Sequence, residues 1–144
     1  MHVDIRPEPF DPWQEVAAYR AVQLAGGAIG ACAVFVGTMR DFNEGDSVQA
    51  MQLEHYPGMT EKHLAVLVEQ AITTHELSDA LVLHRVGRLT PGEDIVLVAT
   101  FSAHRKAAFD ACREIMEALK SSAPLWKKET LASGARWVAE NTPS

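Results

Sequence analysis

The chain has 144 residues, of which 47% are hydrophobic and 22% charged, and its formal net charge is −6 at pH 7. This composition is typical of a globular protein, and we expect residues 1–144 to form a single domain. The acidic balance argues against a nucleic-acid-binding surface, which usually carries net positive charge. The first residues lack a signal-peptide pattern, and no apolar run approaches the roughly 20 residues of a membrane-spanning helix. We therefore expect a cytoplasmic protein that does not enter a membrane.

The first half of the chain alternates between helical and extended patterns. A proline directly after Asp11 predicts a short helix over residues 11–23, with Asp11 as its N-cap. The apolar run 28–37 predicts a buried strand, and the alternating segment 48–56 predicts the second arm of a long hairpin. Thr60 is the predicted N-cap of a long amphipathic helix, whose apolar residues recur at helical spacing at Leu64, Leu67, Val68, Ala71 and Ile72.

The second half predicts two strands, one further long helix and a small terminal hairpin. Segments 81–89 and 94–103 are separated by a Pro-Gly turn, and the second is apolar on both faces, as expected of a central strand. Residues 104–120 carry an apolar stripe of helical period. The segments on either side of 132–134 predict the terminal hairpin. Because hairpins predominate, we expect an α+β fold with a mainly antiparallel sheet.

The cysteines and histidines give no sign of a metal site. Cys32 and Cys112 lie far apart without a CxxC spacing, so neither a disulfide framework nor a zinc site is predicted. We expect both to be buried as small hydrophobic residues. The histidines show no HxxxH or HxH spacing of the kind that groups metal ligands. The sequence therefore favours a protein without a metal.

Three lysines gather around the Ser-Ser-Ala-Pro break that follows the last helix. Lys120 falls in the last turn of that helix, where a cation also complements the helix dipole without any further function. Lys127 and Lys128 are adjacent in an extended segment, so their side chains point to opposite faces and only one can face a pocket. The simplest interpretation is that one of these two lysines faces a pocket and the other is solvated.

Two further basic groups interrupt this acidic sequence. His104 and Arg105 stand at the start of the last helix, where free backbone N–H groups bind anions and where cations are unfavourable without one. The alternative for Arg105 is a surface ion pair with Glu or Asp. Arg40 follows the first predicted strand, and its alternative is a salt bridge with acidic residues of the same loop.

The length of the last helix separates two of these groups. If residues 104–120 form one continuous helix, its ends lie about 24 Å apart at ~1.5 Å per residue. One small substrate cannot contact both ends within one subunit. Either the two ends belong to unrelated sites, or a two-fold dimer brings the helix start of one subunit beside Lys120 of the other.

Long motifs of the chain closely resemble the catalytic (large) subunit family of molybdopterin synthase. The resemblance rests on LEHYPGMTEK, SAHR, APLWKKE and RWV in this order, and it extends from about Gly30 to Trp137. It implies an α/β-hammerhead fold and a homodimer at the centre of a heterotetramer. It also implies a small ubiquitin-like sulfur-carrier partner, whose C-terminal Gly-Gly thiocarboxylate enters a pocket on this protein.

The implied reaction is a sulfur transfer in molybdenum cofactor biosynthesis. Two dithiolene sulfurs are added to cyclic pyranopterin monophosphate (precursor Z) to give molybdopterin, with no metal or cofactor required. By matching position, the catalytic residues are Lys120 and Lys127. The implied substrate contacts also include the His-Arg pair, which comes from the opposite subunit; the complete set is Thr38, Met39, Arg40, His104, Arg105, Lys120, Lys127, Lys128 and Glu129.

Two other functions compete with sulfur transfer. A non-catalytic subunit that only docks a ubiquitin-like carrier is the first, although docking alone has no need for so many clustered cations. The second is a Schiff-base enzyme that uses Lys120 or Lys127 with a lowered pKa on a carbonyl phosphate. In sulfur transfer, Cys32 and Cys112 need not be nucleophiles, because the partner delivers the sulfur.

Overall fold

The computed structural model describes residues 1–23, 25–43, 46–131 and 134–138. This part of the chain contains twelve helices and strands. The elements are numbered here in chain order. They are β1 His2–Arg6, α1 Pro12–Gln23, β2 Ala31–Thr38, β3 Phe42–Asn43, β4 Asp46–His55, α2 Met59–His75, β5 Asp79–Arg85, β6 Gly87–Leu89, β7 Asp94–Ser102, α3 Arg105–Ser122, β8 Leu125–Leu131 and β9 Gly134–Trp137.

The strands form two sheets. The first has the order β1-β5-β7-β2, in which β1 is parallel to β5 and the other pairs are antiparallel. Helices α2 and α3 pack on one face of this sheet, and α1 packs on the other. The second sheet has the order β3-β4-β8-β9, with β6 paired to β4. The predicted α+β class with mainly antiparallel strands is confirmed, as is the central position of β7.

The predicted hairpin between segments 28–37 and 48–56 is wrong. β2 pairs with β7 in the first sheet, whereas β4 pairs with β8, β6 and the short β3 in the second. The alternation of polar and apolar residues identifies which face of a strand is buried, but it does not identify the partner strand. Strand β1 was not predicted, because its five residues find their partner β5 more than seventy positions along the chain.

The prediction that Thr60 caps α2 is also wrong. Gly58 occupies the N-cap position with a φ of 83°, and its N–H donates to Glu61 Oε2 at 2.8 Å. Thr60 lies in the first turn and is fully buried. Its hydroxyl accepts from the Tyr56 N–H at 2.9 Å and donates to the Pro124 carbonyl at 2.9 Å. Thr60 thus connects the start of α2 to the turn between α3 and β8.

Other predicted features are confirmed. Asp11 caps α1, since its Oδ1 accepts from the Trp13 and Gln14 N–H groups at 3.0 and 3.3 Å. The terminal hairpin forms from β8 and β9, with Lys128 opposite Trp137. Its predicted turn includes residues 132–133, which lie outside the described residues. Within the ranges given above, no helix is long and apolar enough to cross a membrane.

Gly30 packs closely against the segment between β7 and α3, and this contact predicts the effect of a substitution on stability. The Gly30 N–H donates to Ser102 O at 2.9 Å, and a Cβ added at Gly30 would lie 2.1 Å from the Ala103 carbonyl oxygen. Because backbone atoms would have to move, we expect Gly30→Ala to lower the free energy of unfolding by about 1–3 kcal/mol in urea titrations. Gly27→Ala is the matched control, since no atom lies within 4 Å of its Cβ position. Equal effects of the two substitutions would contradict the close approach.

Candidate functional site

A cavity of about 330 Å³ opens where the C-terminal end of α3 meets both sheets. Its apolar wall includes Leu53 of β4, Val96 of β7 and Leu119 of α3, all of which are buried. The polar residues that line it are Thr38, Arg40, His84, Lys120, Lys127 and Glu129. The structure therefore brings together residues from both sheets and from α3 that are far apart in sequence.

Lys120 and Lys127 reach this cavity from different elements. Lys120 lies in the last turn of α3, next to the buried Leu119, and its side chain is half-buried. Lys127 lies on β8, where Leu125, Lys127 and Glu129 face inward. The intervening residues of β8 are exposed. Since β8 alternates in this way, the prediction that neighbouring lysines face opposite sides is confirmed.

Lys127 sits among other charges. Burial lowers the pKa of its ammonium group, the positive charges of Lys120 and Arg40 lower it further, and the Glu129 carboxylate acts in the opposite direction. Glu129 is only 5% exposed, and its Oε1 lies 3.4 Å from Arg136 Nε on β9. A lysine whose pKa is lowered in this way gives up its proton more readily than one in water. The cavity therefore suits both anion binding and proton transfer.

Lys128 does not line the cavity. It projects from the opposite face of β8, where its Nζ lies 5.6 Å from the centre of the Trp137 ring, which is a cation–π distance. Trp126 lies on the same exposed face and is 48% exposed. The structure therefore separates Lys128 from the other lysines of this segment.

The segment after β2 forms the cavity rim. Thr38 Oγ1 donates to Asp94 Oδ1 at 2.7 Å, and the Met39 N–H donates to Glu93 O at 2.9 Å. Met39 is buried, whereas Arg40 is exposed. These bonds fix the end of β2 to the turn before β7, and they hold Arg40 at the entrance of the cavity.

His84 is a cavity residue that sequence reasoning missed. It lies on β5, is 6% exposed, and its Nδ1 is 2.7 Å from the Arg85 carbonyl oxygen. Burial lowers the pKa of His84 to about 4, against the effect of that hydrogen bond, and the charge of Lys127 lowers it further. The ring is therefore neutral at pH 7. The available signal was a lone histidine in the apolar run LVLHRV, but His84 was considered only as a possible metal ligand.

His104 and Arg105 lie outside the cavity, at the other end of α3. His104 holds the N-cap position without a side-chain cap hydrogen bond, and the first turn contains no acidic residue. The helix is continuous from Arg105 to Ser122, which places Arg105 about 22 Å from Lys120 at ~1.5 Å per residue. One subunit alone therefore cannot bring the His-Arg pair to the lysines.

The cysteines do not resemble catalytic nucleophiles. Cys112 is buried as predicted, but Cys32 is exposed, so the prediction of burial is wrong for this residue. The reason is that Cys32 lies on β2, at the edge of its sheet. Burial raises the pKa of Cys112 to about 11, and partial burial also raises that of Cys32, so neither favours a thiolate. The described residues contain no group of three side chains suited to a metal ion.

Comparisons with known proteins agree on one family. The family model described as "MoaE protein" matches residues 5–122. The molybdopterin synthase catalytic subunit of Ralstonia nicotianae is 54% identical over 136 residues, which are 94% of this chain and 76% of that protein. The protein of the same name from Pseudomonas aeruginosa is 51% identical over 138 residues, which are 96% of this chain and 90% of that one.

Solved structures share the same architecture. The molybdopterin biosynthesis MoaE protein from Burkholderia ambifaria is 47% identical with a TM-score of 0.81, and the match covers 99% of this chain and 92% of that chain. A complex of subunits 1 and 2 of molybdopterin-converting factor from Helicobacter pylori has a TM-score of 0.80 at 21% identity, covering 97% and 92%. At that identity the second structure is evidence for the fold alone.

The buried neutral His84 predicts a specific loss of stability in acid. Its pKa is about 4 when folded and about 6.5 when unfolded, so between these values only the unfolded chain takes up the proton. The contribution of the neutral His84 ring to the free energy of unfolding is complete above pH 6.5 and is lost as the pH falls toward 4. From pH 7 to pH 4.5 we expect the wild-type protein to lose about 2–3 kcal/mol more unfolding free energy than His84→Gln in urea titrations.

His2→Gln is the control for this prediction, since His2 is an exposed histidine on β1. It should lose stability in acid as the wild-type protein does. If His84→Gln also loses as much stability as the wild type, His84 is not held neutral by the fold.

Proposed function

The chain belongs to the MoaE protein family, and on this premise we propose that it is the catalytic subunit of molybdopterin synthase, a sulfurtransferase of molybdenum cofactor biosynthesis. The reaction converts cyclic pyranopterin monophosphate to molybdopterin by adding two sulfurs. The single observation that carries the proposal is the convergence of Lys120 and Lys127, from α3 and β8, on one cavity with Arg40 at its entrance. The residues 1–144 act as a single domain, and the reaction uses no metal or cofactor.

The sulfur donor is the C-terminal thiocarboxylate of a small ubiquitin-like carrier subunit. Each sulfur forms a bond to a carbon of the pterin substrate and displaces the oxygen bound there, which leaves as the opened phosphate ester in one addition and as water in the other. The carrier is then joined to the substrate through a thioester. Water then attacks the acyl carbon, which releases the carrier as a carboxylate and leaves the sulfur on the substrate. The attack of water develops negative charge on the acyl oxygen, which a nearby ammonium group stabilises. Lys120 is assigned to this acyl group.

Lys127 is assigned to the substrate side of the cavity. Its lowered pKa, caused first by burial and then by Lys120, supports proton transfer during the opening of the cyclic phosphate. Arg40 binds the phosphate by charge-assisted hydrogen bonds, and Thr38 and Met39 shape the rim beside it. Glu129 balances the positive charge of Lys127.

Lys128 is retained as a substrate contact from the resemblance, although it faces away from the cavity.

A second copy of the chain completes the site. β2 is an edge strand, and among the described residues it pairs only with β7. It runs alongside α3, because both are antiparallel to β7. If two copies of β2 pair antiparallel across a two-fold axis, the two α3 helices lie side by side in opposite directions. His104 and Arg105 of the partner subunit then lie beside Lys120 and add positive charge for the substrate phosphate.

The carrier binds at each end of this central homodimer to give a heterotetramer. A cytoplasmic location is part of the same proposal. Both cysteines of the chain are unpaired, as is usual in a reducing compartment.

Replacement of Lys120 tests the catalytic assignment. With purified thiocarboxylated carrier and cyclic pyranopterin monophosphate, we expect Lys120→Ala to lower product formation at least about a hundredfold, because the oxyanion loses its ammonium partner. Dimerisation and carrier binding should persist. Lys62→Ala is the matched control, since Lys62 is exposed on α2 and does not line the cavity.

Wild-type turnover by Lys120→Ala would overturn the assignment of this lysine. If the wild-type protein binds the carrier tightly but forms no product, the alternative of a non-catalytic docking subunit is correct.

Mixing two inactive variants tests whether the site is shared between subunits. Lys120→Ala and Arg105→Ala should each be nearly inactive as homodimers. In a mixed dimer one site has both substitutions and the other has neither, so an equimolar, fully exchanged mixture should recover about a quarter of wild-type activity. Exchange is verified with two differently tagged chains. A fully exchanged mixture without activity would show that Arg105 and Lys120 act within one subunit.

A further inference from the structure

His84 occupies an unusual position in the cavity wall. It is a neighbour of apolar residues on both adjoining strands, opposite Val96 of β7 and Ile5 of β1. It is 6% exposed and lines the same cavity as Lys120 and Lys127. The resemblance to the molybdopterin synthase family assigned it no role.

The hydrogen bond at Nδ1 determines the form of the ring. A carbonyl oxygen only accepts hydrogen bonds, so the 2.7 Å contact with Arg85 O requires that Nδ1 carries the proton. Burial keeps the ring neutral at pH 7 by lowering the pKa of His84 to about 4. Nε2 therefore has a free lone pair. Among the described residues, the contact at Nδ1 is the one hydrogen bond of this side chain.

A ligand that fills the cavity removes water from Nε2, so this acceptor favours a ligand that provides an N–H or O–H group in place of the water. A phosphate oxygen cannot satisfy Nε2, because both atoms are acceptors. Arg40, Lys120 and Lys127 provide only donors when they are charged, and they suit the phosphate instead. The cavity thus offers two chemically distinct kinds of contact to one ligand.

We propose that His84 is a substrate-binding residue whose Nε2 accepts a hydrogen bond from an N–H group of the pterin ring. The bond orients the ring against the apolar wall and leaves the phosphate to the cations at the entrance. This inference rests on the proposed function, because it takes the pterin phosphate as the ligand. His84 therefore selects ligands whose ring has an N–H group at this point. An analogue without that N–H group leaves Nε2 unpaired.

Two substitutions separate the functions of the two ring nitrogens. In His84→Asn the side-chain amide can place an N–H near the position of Nδ1, which preserves the bond to Arg85 O, but no atom reaches the position of Nε2. In His84→Gln the longer side chain can place its amide oxygen near Nε2 and restore the acceptor. Asn therefore removes the proposed contact, and Gln is its matched rescue.

We expect His84→Asn to raise the KM for cyclic pyranopterin monophosphate about tenfold while kcat changes much less, because the lost bond is made in both the ground state and the transition state. His84→Gln should recover most of that loss. A KM of His84→Asn within twofold of the wild-type value would overturn the inference, as would a Gln variant that is no better than Asn. Each variant is used only after circular dichroism shows a cooperative thermal transition.

A measurement on the wild-type protein keeps the inference testable if the variants do not fold. In protein labelled with ¹⁵N-histidine, the Nε2 resonance of His84 should shift when cyclic pyranopterin monophosphate is added, as a lone pair does when it accepts a hydrogen bond. A saturating amount of ligand that leaves this resonance unchanged would overturn the inference. If the wild-type protein forms no product with carrier and substrate, the proposed function itself fails. Normal wild-type turnover with an unaffected His84→Asn variant refutes only the role of His84.

Discussion

The rigidity of α3 is the constraint on which the site depends. The helix buries six residues against the first sheet, so it can neither bend nor slide without opening the core. Its fixed rise keeps Arg105 and Lys120 about 22 Å apart. Its C-terminal end also determines where β8 begins, and the bond between Thr60 and the Pro124 carbonyl holds that turn against α2. Lys127 consequently faces Lys120 across the cavity from a fixed direction.

The charges of the cavity show how an acidic protein can bind anions. Lys120 and Arg40 both lower the pKa of Lys127, which means that the unliganded cavity holds repelling cations. An anion bound beside these groups would offset that repulsion and favour the charged form of Lys127. The buried carboxylate of Glu129 acts on the pKa of Lys127 in the opposite direction. The net charge of the protein therefore does not predict the charge of a site whose cations come from separate elements.

The sequence predicted features that depend on local periodicity. The last helix follows from an apolar spacing of about 3.6 residues, and the opposite directions of Lys127 and Lys128 follow from the two-residue period of a strand. The central strand follows from an apolar run without alternation. Features that depend on a distant partner were missed. β1 is defined by its pairing with β5, β2 and β4 enter different sheets, and Thr60 bonds to a residue beyond α3.

The same distinction applies to the site. The separation of Arg105 from Lys120 could be calculated from the sequence, because a helix has a constant rise. His84 could not be placed in the cavity, because only the folded chain brings β5 next to Lys127. A histidine in an apolar strand has no spacing signal of its own. Its chemistry is decided by burial and by the carbonyl that fixes its tautomer.

A crystal structure of the assembled protein tests the central claim most directly, namely that two subunits share each site. We expect a two-fold dimer joined along β2, in which Arg105 of the partner subunit lies closer to Lys120 than the Arg105 of the same chain does. A monomer, or a dimer in which both helix starts point away from the neighbouring cavity, would contradict it.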